Sequence, residues 1–256
     1  MKKIPVALQL YSVREDCKSD FPATLKIVRE MGYDGVELAG MNGLNVSELN
    51  AITKDLGLKI FSAHVDRQEL LKDPLASAEL YEALGCEFIA YPWSGMDELA
   101  GGERYDEFLE TTKKISRSLK VRGIELLYHN HDHELKLHDG QTLLDNLLFD
   151  LGSETIKLEL DVCWCKVGGF EPSQFLRDHW GSVPVVHFKD YTGSKEDKTF
   201  SFAPLGSGCQ DMGELMVAAS DCGAKWIVVE QDEPSPDKTA LECAKLSLDF
   251  LKELQK

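Results

Sequence analysis

The chain has 256 residues, 44 of them acidic against 28 basic, for a formal charge of −16. That excess of anions argues against a nucleic-acid partner or an anionic membrane surface, because no run of Lys and Arg forms a basic patch to offset it. No segment approaches a membrane span, and the apolar run near the start is too short, and broken by Gln9, to serve as a secretory leader. The seven scattered cysteines fit a reducing cytoplasm better than a disulfide framework, and the C-x-C of Cys163 and Cys165 reads as wall and core.

PVALQL opens the chain as a strand. In SDFPATLKIVREMG, Ser19 or Asp20 can cap a helix, Pro22 sits in its first turn, and Leu25, Val28 and Met31 share one face. Gly32 then stops the helix and GVELA follows as a strand. The same order of helix, glycine and strand recurs at Gly57 before KIFSAH, Gly85 before EFIAYP, Gly123 before IELLYHN and Gly223 before KWIVVEQ. The helix before Gly123 shows its buried face in Phe108, Ile115 and Leu119. IKLELD and PVVHFKD complete eight strands, about one every 30 residues, rich in leucine and β-branched residues as strands covered on both faces are. No linker divides the chain. Count and length predict a single (β/α)8 barrel over residues 1–256, with an open doubly wound sheet as the alternative.

In such a barrel the chemistry collects where strands end and the following loops begin. The polar strand ends are Gln9 with Tyr11, Glu37, His64, Trp93 after Tyr91, the LLYHNHDHEL stretch with His129, His131 and Glu134, Asp161 with Trp164, His187 with Lys189, and Glu230. Gln9, Tyr11, Glu37, His64, Trp93 and Trp164 are candidates for binding substrate. Tyr11, Trp93 and Trp164 could equally be barrel plugs. Carboxylates and imidazoles without paired thiols favour one divalent ion such as Mn2+, Mg2+, Co2+ or Zn2+. Asp161, His187 and Glu230 end three successive strands, and neighbouring strands lie about 4.8 Å apart, so the three can converge on one ion.

LQLYSVR, SAH, LELDVCW, VVHFKDY, PLGSGCQD and VVEQDE, in this order and over essentially the whole chain, resemble the xylose isomerase-like barrels. That family includes sugar epimerases, inosose dehydratase-type lyases and endonuclease IV-type nucleases. The resemblance implies a metal held by an acid, Asp161, His187 and Glu230. Where the family often reads Glu-Asn-His on strand five, this chain has His129-Asn130-His131. Its Y-H-N-H-acid subgroup implies Glu134 as the fourth ligand, with His129 or His131 in proton transfer; the rival assignment makes His129 the ligand.

The implied activity is isomerisation or epimerisation of a keto-sugar or polyol through a metal-stabilised enediolate, with Glu230, Lys189 and the histidines moving protons. The alternative is a lyase acting on an oxidised 3-keto sugar or inosose. A nuclease or a non-catalytic sugar-binding barrel ranks lower. The expected partner is a small sugar or polyol, and a homo-oligomer built on exposed barrel helices stays open. No phosphate cradle is evident.

Overall fold

Strands buried along nearly their whole length, with polar residues gathered at their C-terminal ends, set how each one sits. In the computed structural model, which describes residues 3–256, eight parallel strands close into a barrel in sequence order. They are β1 (Val6–Gln9), β2 (Gly35–Leu38), β3 (Lys59–His64), β4 (Phe88–Tyr91), β5 (Glu125–His129), β6 (Lys157–Asp161), β7 (Val185–Phe188) and β8 (Trp226–Val229). β1 pairs with both β2 and β8, which completes the ring. The expected (β/α)8 barrel is the observed fold, and the open sheet is excluded.

The outer ring is made by α1 (Phe21–Met31), α2 (Val46–Leu56), α3 (Pro74–Ala83), α4 (Tyr105–Val121), α5 (Leu143–Leu151), α6 (Pro172–Asp178), α7 (Met212–Asp221) and α8 (Ala240–Leu254). Local sequence explains their ends. Asp20 caps α1 by accepting from the Ala23 N–H at 3.0 Å, and Gly32 ends it at φ +99°, where a side chain would be strained. In α4 the buried residues are Phe108, Thr112, Ile115, Ser116 and Leu119, the expected stripe plus a threonine and a serine. Two short hairpins outside the barrel, pairing residues 137–138 with 141–142 and 190–192 with 201–203, were not apparent in the sequence pattern.

Inside the barrel, alternation separates two layers. The floor is apolar: Ala7, Phe61, Phe88, Ala90, Leu127, Val185, Trp226 and Val228 form one buried cluster. Trp226 stacks on Phe61 with centroids 4.3 Å apart. A Cβ on Gly35 would come within 3.2 Å of the indole and 2.7 Å of the Lys59 carbonyl, so glycine there admits the tryptophan. One strand departs from simple alternation. Val36 pairs with Ile60 but Glu37 pairs with Ser62, so β3 carries one extra residue at Phe61. That bulge shifts the parity of β3 and lets both Phe61 in the floor and His64 at the mouth point inward.

Candidate active site

The mouth of the barrel, at the strands' C-terminal ends, is as ionic as the floor is apolar. Register places Asp161 opposite His187, and His129 opposite Glu159. Ligand atoms of His129, Asp161, His187 and Glu230 all lie within 4.8 Å of one another, and all four residues are buried. Above them opens a cavity of about 440 Å3, within the range of small-molecule sites, lined in part by Tyr11, His64, Trp93, His131 and Lys189.

Glu159, absent from the sequence expectations, organises the histidines. Its Oε1 lies 2.6 Å from His64 Nε2, 3.0 Å from His187 Nε2 and 3.2 Å from His129 Nδ1. Glu37 Oε2 adds a 2.7 Å contact to His187 Nε2 and takes a 2.9 Å bond from the Gln9 amide. Each imaginable proton on those inner nitrogens is thereby engaged from below. His129 Nε2 and His187 Nδ1 are left facing Glu230, at 4.0 and 3.0 Å. A carboxylate that fixes the far nitrogen of a ligand histidine is the usual second layer of a metal site. The signal for Glu159 was present: in IKLELD it stands two residues before Asp161 and so shares its face.

Protonation follows from the same contacts. Burial opposes charge on His187, but Glu159, Glu37 and Glu230 together hold its pKa well above the ordinary value. His64 is likewise raised, despite burial, by Glu37 and Glu159. Burial and the neighbouring His187 push His129 down to about 3, and burial with His129 beside it pushes His131 to about 2. Both are therefore neutral imidazoles in the resting protein. Lys189 is 1% exposed yet bounds the cavity, with Nζ 3.0 Å from Asp161, 2.8 Å from Glu230 and 3.1 Å from Asp232. Burial disfavours its charge, but those three carboxylates more than compensate and keep it an ammonium. Asp232, also absent from the sequence expectations, follows Glu230 by two residues in VVEQDE.

Several expectations need correction. Glu134 does not join the ligand cluster. Its carboxylate accepts from the Tyr128 hydroxyl at 2.9 Å and from the His131 N–H at 2.8 Å, and it lies 3.2 Å from His133. Tyr128 belongs to the layer between barrel and helices, so Glu134 is turned outward and braces the loop. Gln9 and Glu37 are fully buried without lining the cavity: Gln9 donates to Glu37, and Glu37 contacts His187 and His64. Tyr11 and Trp93 are no plugs: they are 45% and 59% exposed at the rim. Trp164 is buried behind His131, between Phe200 and Phe202 of the second hairpin. Cys163 and Cys165 are buried and take no part in the cluster.

The family's sequence profile, that of the xylose isomerase-like TIM barrel, matches residues 25–254. The chain belongs to this xylose isomerase-like family. No curated protein matches it. Among solved structures, a sugar phosphate isomerase/epimerase from Parabacteroides distasonis is 21% identical, covers 99% of this chain and 100% of its own, and superposes with a TM-score of 0.84. An L-ribulose 3-epimerase is 14% identical over 99% of this chain and 95% of its own, TM-score 0.75. A probable 3-DHS dehydratase of petrobactin synthesis from Bacillus anthracis is 16% identical over 97% and 99%, TM-score 0.75. At these identities the likeness is one of fold.

The residues present suit a divalent cation. Two carboxylates and two imidazoles converge from four strands, and Asp161 Oδ2 is a buried oxygen with no hydrogen-bond partner beyond its ion pair with Lys189. Borderline ions accept such mixed nitrogen and oxygen sets. No described helix is long and apolar enough to cross a membrane.

Proposed function

We propose that this protein is a divalent-metal-dependent isomerase or epimerase of a keto-sugar or polyol. The observation that carries the reading is the convergence of His129, Asp161, His187 and Glu230 beneath an open cavity at the C-terminal mouth. His129 Nε2, Asp161, His187 Nδ1 and Glu230 would hold the ion. With an imidazole in place of the family's strand-five glutamate, the set leans toward Mn2+, Co2+ or Zn2+ over Mg2+. Once bound, a dication supplies Lewis-acid polarisation of substrate oxygens and a counter-charge for the clustered acids.

The chain's own groups do the rest. Glu159 and Glu37 keep His129 and His187 in one orientation. We assign His131, on the cavity wall, the proton exchange with carbon beside a substrate carbonyl; burial keeps its imidazole a weak base in the resting protein, so the step requires bound substrate and cation to restore its basicity. Lys189, an ammonium on the same wall, is placed to donate to a substrate oxygen and to take the proton back. Return of the proton to the next carbon gives isomerisation; delivery from the opposite face, the role expected of Glu230, gives epimerisation.

A second reading is favoured by one observation: the two proton-carrying groups on the wall, His131 and Lys189, differ in kind. An acid and a base of different strengths suit expulsion of a β-leaving group, so a lyase acting on an oxidised sugar or inosose is the alternative. Incubation with keto-sugars and inososes in deuterated water, followed by NMR, tests both. Solvent deuterium beside the carbonyl with the carbon skeleton retained supports the isomerase; an unsaturated product supports the lyase; metal-independent exchange contradicts both.

A further inference from the structure

The same cavity restricts the charge and size of its ligand, an inference that rests on the proposed sugar chemistry only for the ring that reaches the ionic cluster. Barrels that bind phosphorylated sugars commonly seat the phosphate on the loops after strands seven and eight, on free backbone N–H groups. Here the glycine loop after β7 has spent those groups internally. Gly206, Gly208 and Tyr191 donate to the Asp190 carboxylate at 3.1, 2.9 and 2.9 Å, and Gln210 does so at 3.3 Å. A Cβ on Gly208 would fall 2.1 Å from Asp190 Oδ1, so the loop is closed tightly round that residue.

Cationic side chains are committed in the same way. Among the described residues around the cavity, Lys189 alone carries a permanent positive charge, and three carboxylates surround it. Arg14 binds the Asp232 carbonyl and Glu233, and Lys195 pairs with Asp132 at 2.7 Å. Glu230 and Asp232 meanwhile face the cavity as acceptors, which suits hydroxyl groups and repels a phosphate dianion.

Aromatic rings take the place of cations. Trp93 and Tyr11 line the cavity while more than two-fifths exposed, and the Arg14 guanidinium lies 4.4 Å over the Tyr11 ring on one side. An indole left open at the edge of a cleft is apolar surface that a ligand can cover. With about 440 Å3 between these rings and the ionic cluster, there is room for more than one pyranose.

We propose that the site takes an uncharged glycoside with its ketone on the ring carbons, not a sugar phosphate: the oxidised ring reaches the His129–Asp161–His187–Glu230 cluster, and a second ring, sugar or aryl, covers Trp93 and Tyr11. Calorimetric titration of the intact protein with glucose, glucose 6-phosphate, maltose, cellobiose and 4-nitrophenyl glucoside tests this without requiring turnover. Two-ring probes are expected to bind about tenfold tighter than glucose, as covering part of an indole face implies, and the phosphate ester no tighter than glucose. Trp93→Ala removes the two-ring advantage and Trp93→Phe restores much of it. Maltose and cellobiose against the nitrophenyl glucoside separate a sugar from an aryl second ring. Tighter binding of glucose 6-phosphate than of glucose, or equal binding of one-ring and two-ring probes, overturns the proposal. If two-ring probes bind but no substrate exchanges deuterium, the isomerase reading falls and this one stands.

Discussion

The floor and the mouth of this barrel are built from the same strands, a few residues apart, and share almost no chemistry. On β5 the chain passes from Leu127 in the floor to His129 at the mouth; on β8 it passes from Trp226 and Val228 to Glu230. The floor excludes water with interlocked rings, and its groups stabilise the fold by burial. The mouth gathers Glu37, Glu159, Asp161, Glu230 and Asp232 around three imidazoles, those of His64, His129 and His187, and one ammonium, an arrangement that costs desolvation and gains little stability by itself. Two layers with such different energetics should respond differently to substitution.

The sharpest contrast is expected from the floor. Phe61→Ala removes a fully buried ring that stacks on Trp226 and should cost about 3–5 kcal/mol of stability, read by denaturant unfolding, with metal affinity little changed in the folded fraction. A comparable loss in metal affinity would break the separation of layers.

At the mouth, Lys189→Met should cost on the order of 3–5 kcal/mol as well, for another reason: Asp161, Glu230 and Asp232 lose their shared counter-charge. A saturating divalent ion should then recover part of the loss, whereas it should do nothing for Phe61→Ala. Recovery in both variants, or in neither, contradicts the proposed origin of the two effects.

Glu159→Gln keeps the shape of the side chain and removes its charge. Metal affinity should fall about 10–100-fold, the effect expected of a carboxylate that orients His129 and His187 and leaves ligation to the proposed set of His129, Asp161, His187 and Glu230. Its thermal midpoint should move less than that of Phe61→Ala. Unchanged affinity would show that the histidines are held by packing alone.

The smallest effect lies outside both layers. His179, at the end of α6, donates from Nε2 to Asp145 of α5 at 2.8 Å and from Nδ1 to the Phe175 carbonyl at 2.9 Å. Burial opposes its charge, but those acceptors raise its pKa above the ordinary 6.5, and the same bond, working against burial, lowers Asp145 below 3.8. A raised histidine stabilises the fold below its unfolded pKa and loses that contribution as pH climbs through the folded one. A depressed aspartate contributes above its unfolded pKa and loses it in acid. The pair is thus fully present between about pH 4 and pH 6.5, at about 1 kcal/mol. His179→Gln should flatten the decline in unfolding free energy above pH 6.5 relative to the parent; an unaltered pH profile would contradict the assignment.

The barrel could be read from the chain because each βα unit announces itself: a capped amphipathic helix, a glycine such as Gly32 that only a left-handed turn requires, then an apolar strand. Asp161, His187 and Glu230 were legible as the last polar residues of such strands. Glu159 was hidden inside IKLELD, where a charged residue among leucines reads as a strand interior until its face is tracked at period two. Glu134 looked like a ligand by its place in the Y-H-N-H-acid stretch, but the tyrosine before the histidines faces the other way and draws its carboxylate outward. His64 points inward only because β3 gains a residue at Phe61, and a bulge of that kind has no clear signature in a single sequence. The rim was ambiguous for a similar reason: pattern marks Tyr11, Trp93 and Trp164 as aromatic but does not tell which is covered by the hairpin at 190–203.

The central claim is that His129, and not Glu134, completes a metal site with Asp161, His187 and Glu230. Elemental analysis of the purified parent protein beside His129→Gln and Glu134→Gln tests it most directly. The arrangement predicts about one divalent ion per chain in the parent, its loss in His129→Gln and its retention in Glu134→Gln. Retention in His129→Gln with loss in Glu134→Gln, or no ion in the parent when supplied in excess, would contradict it.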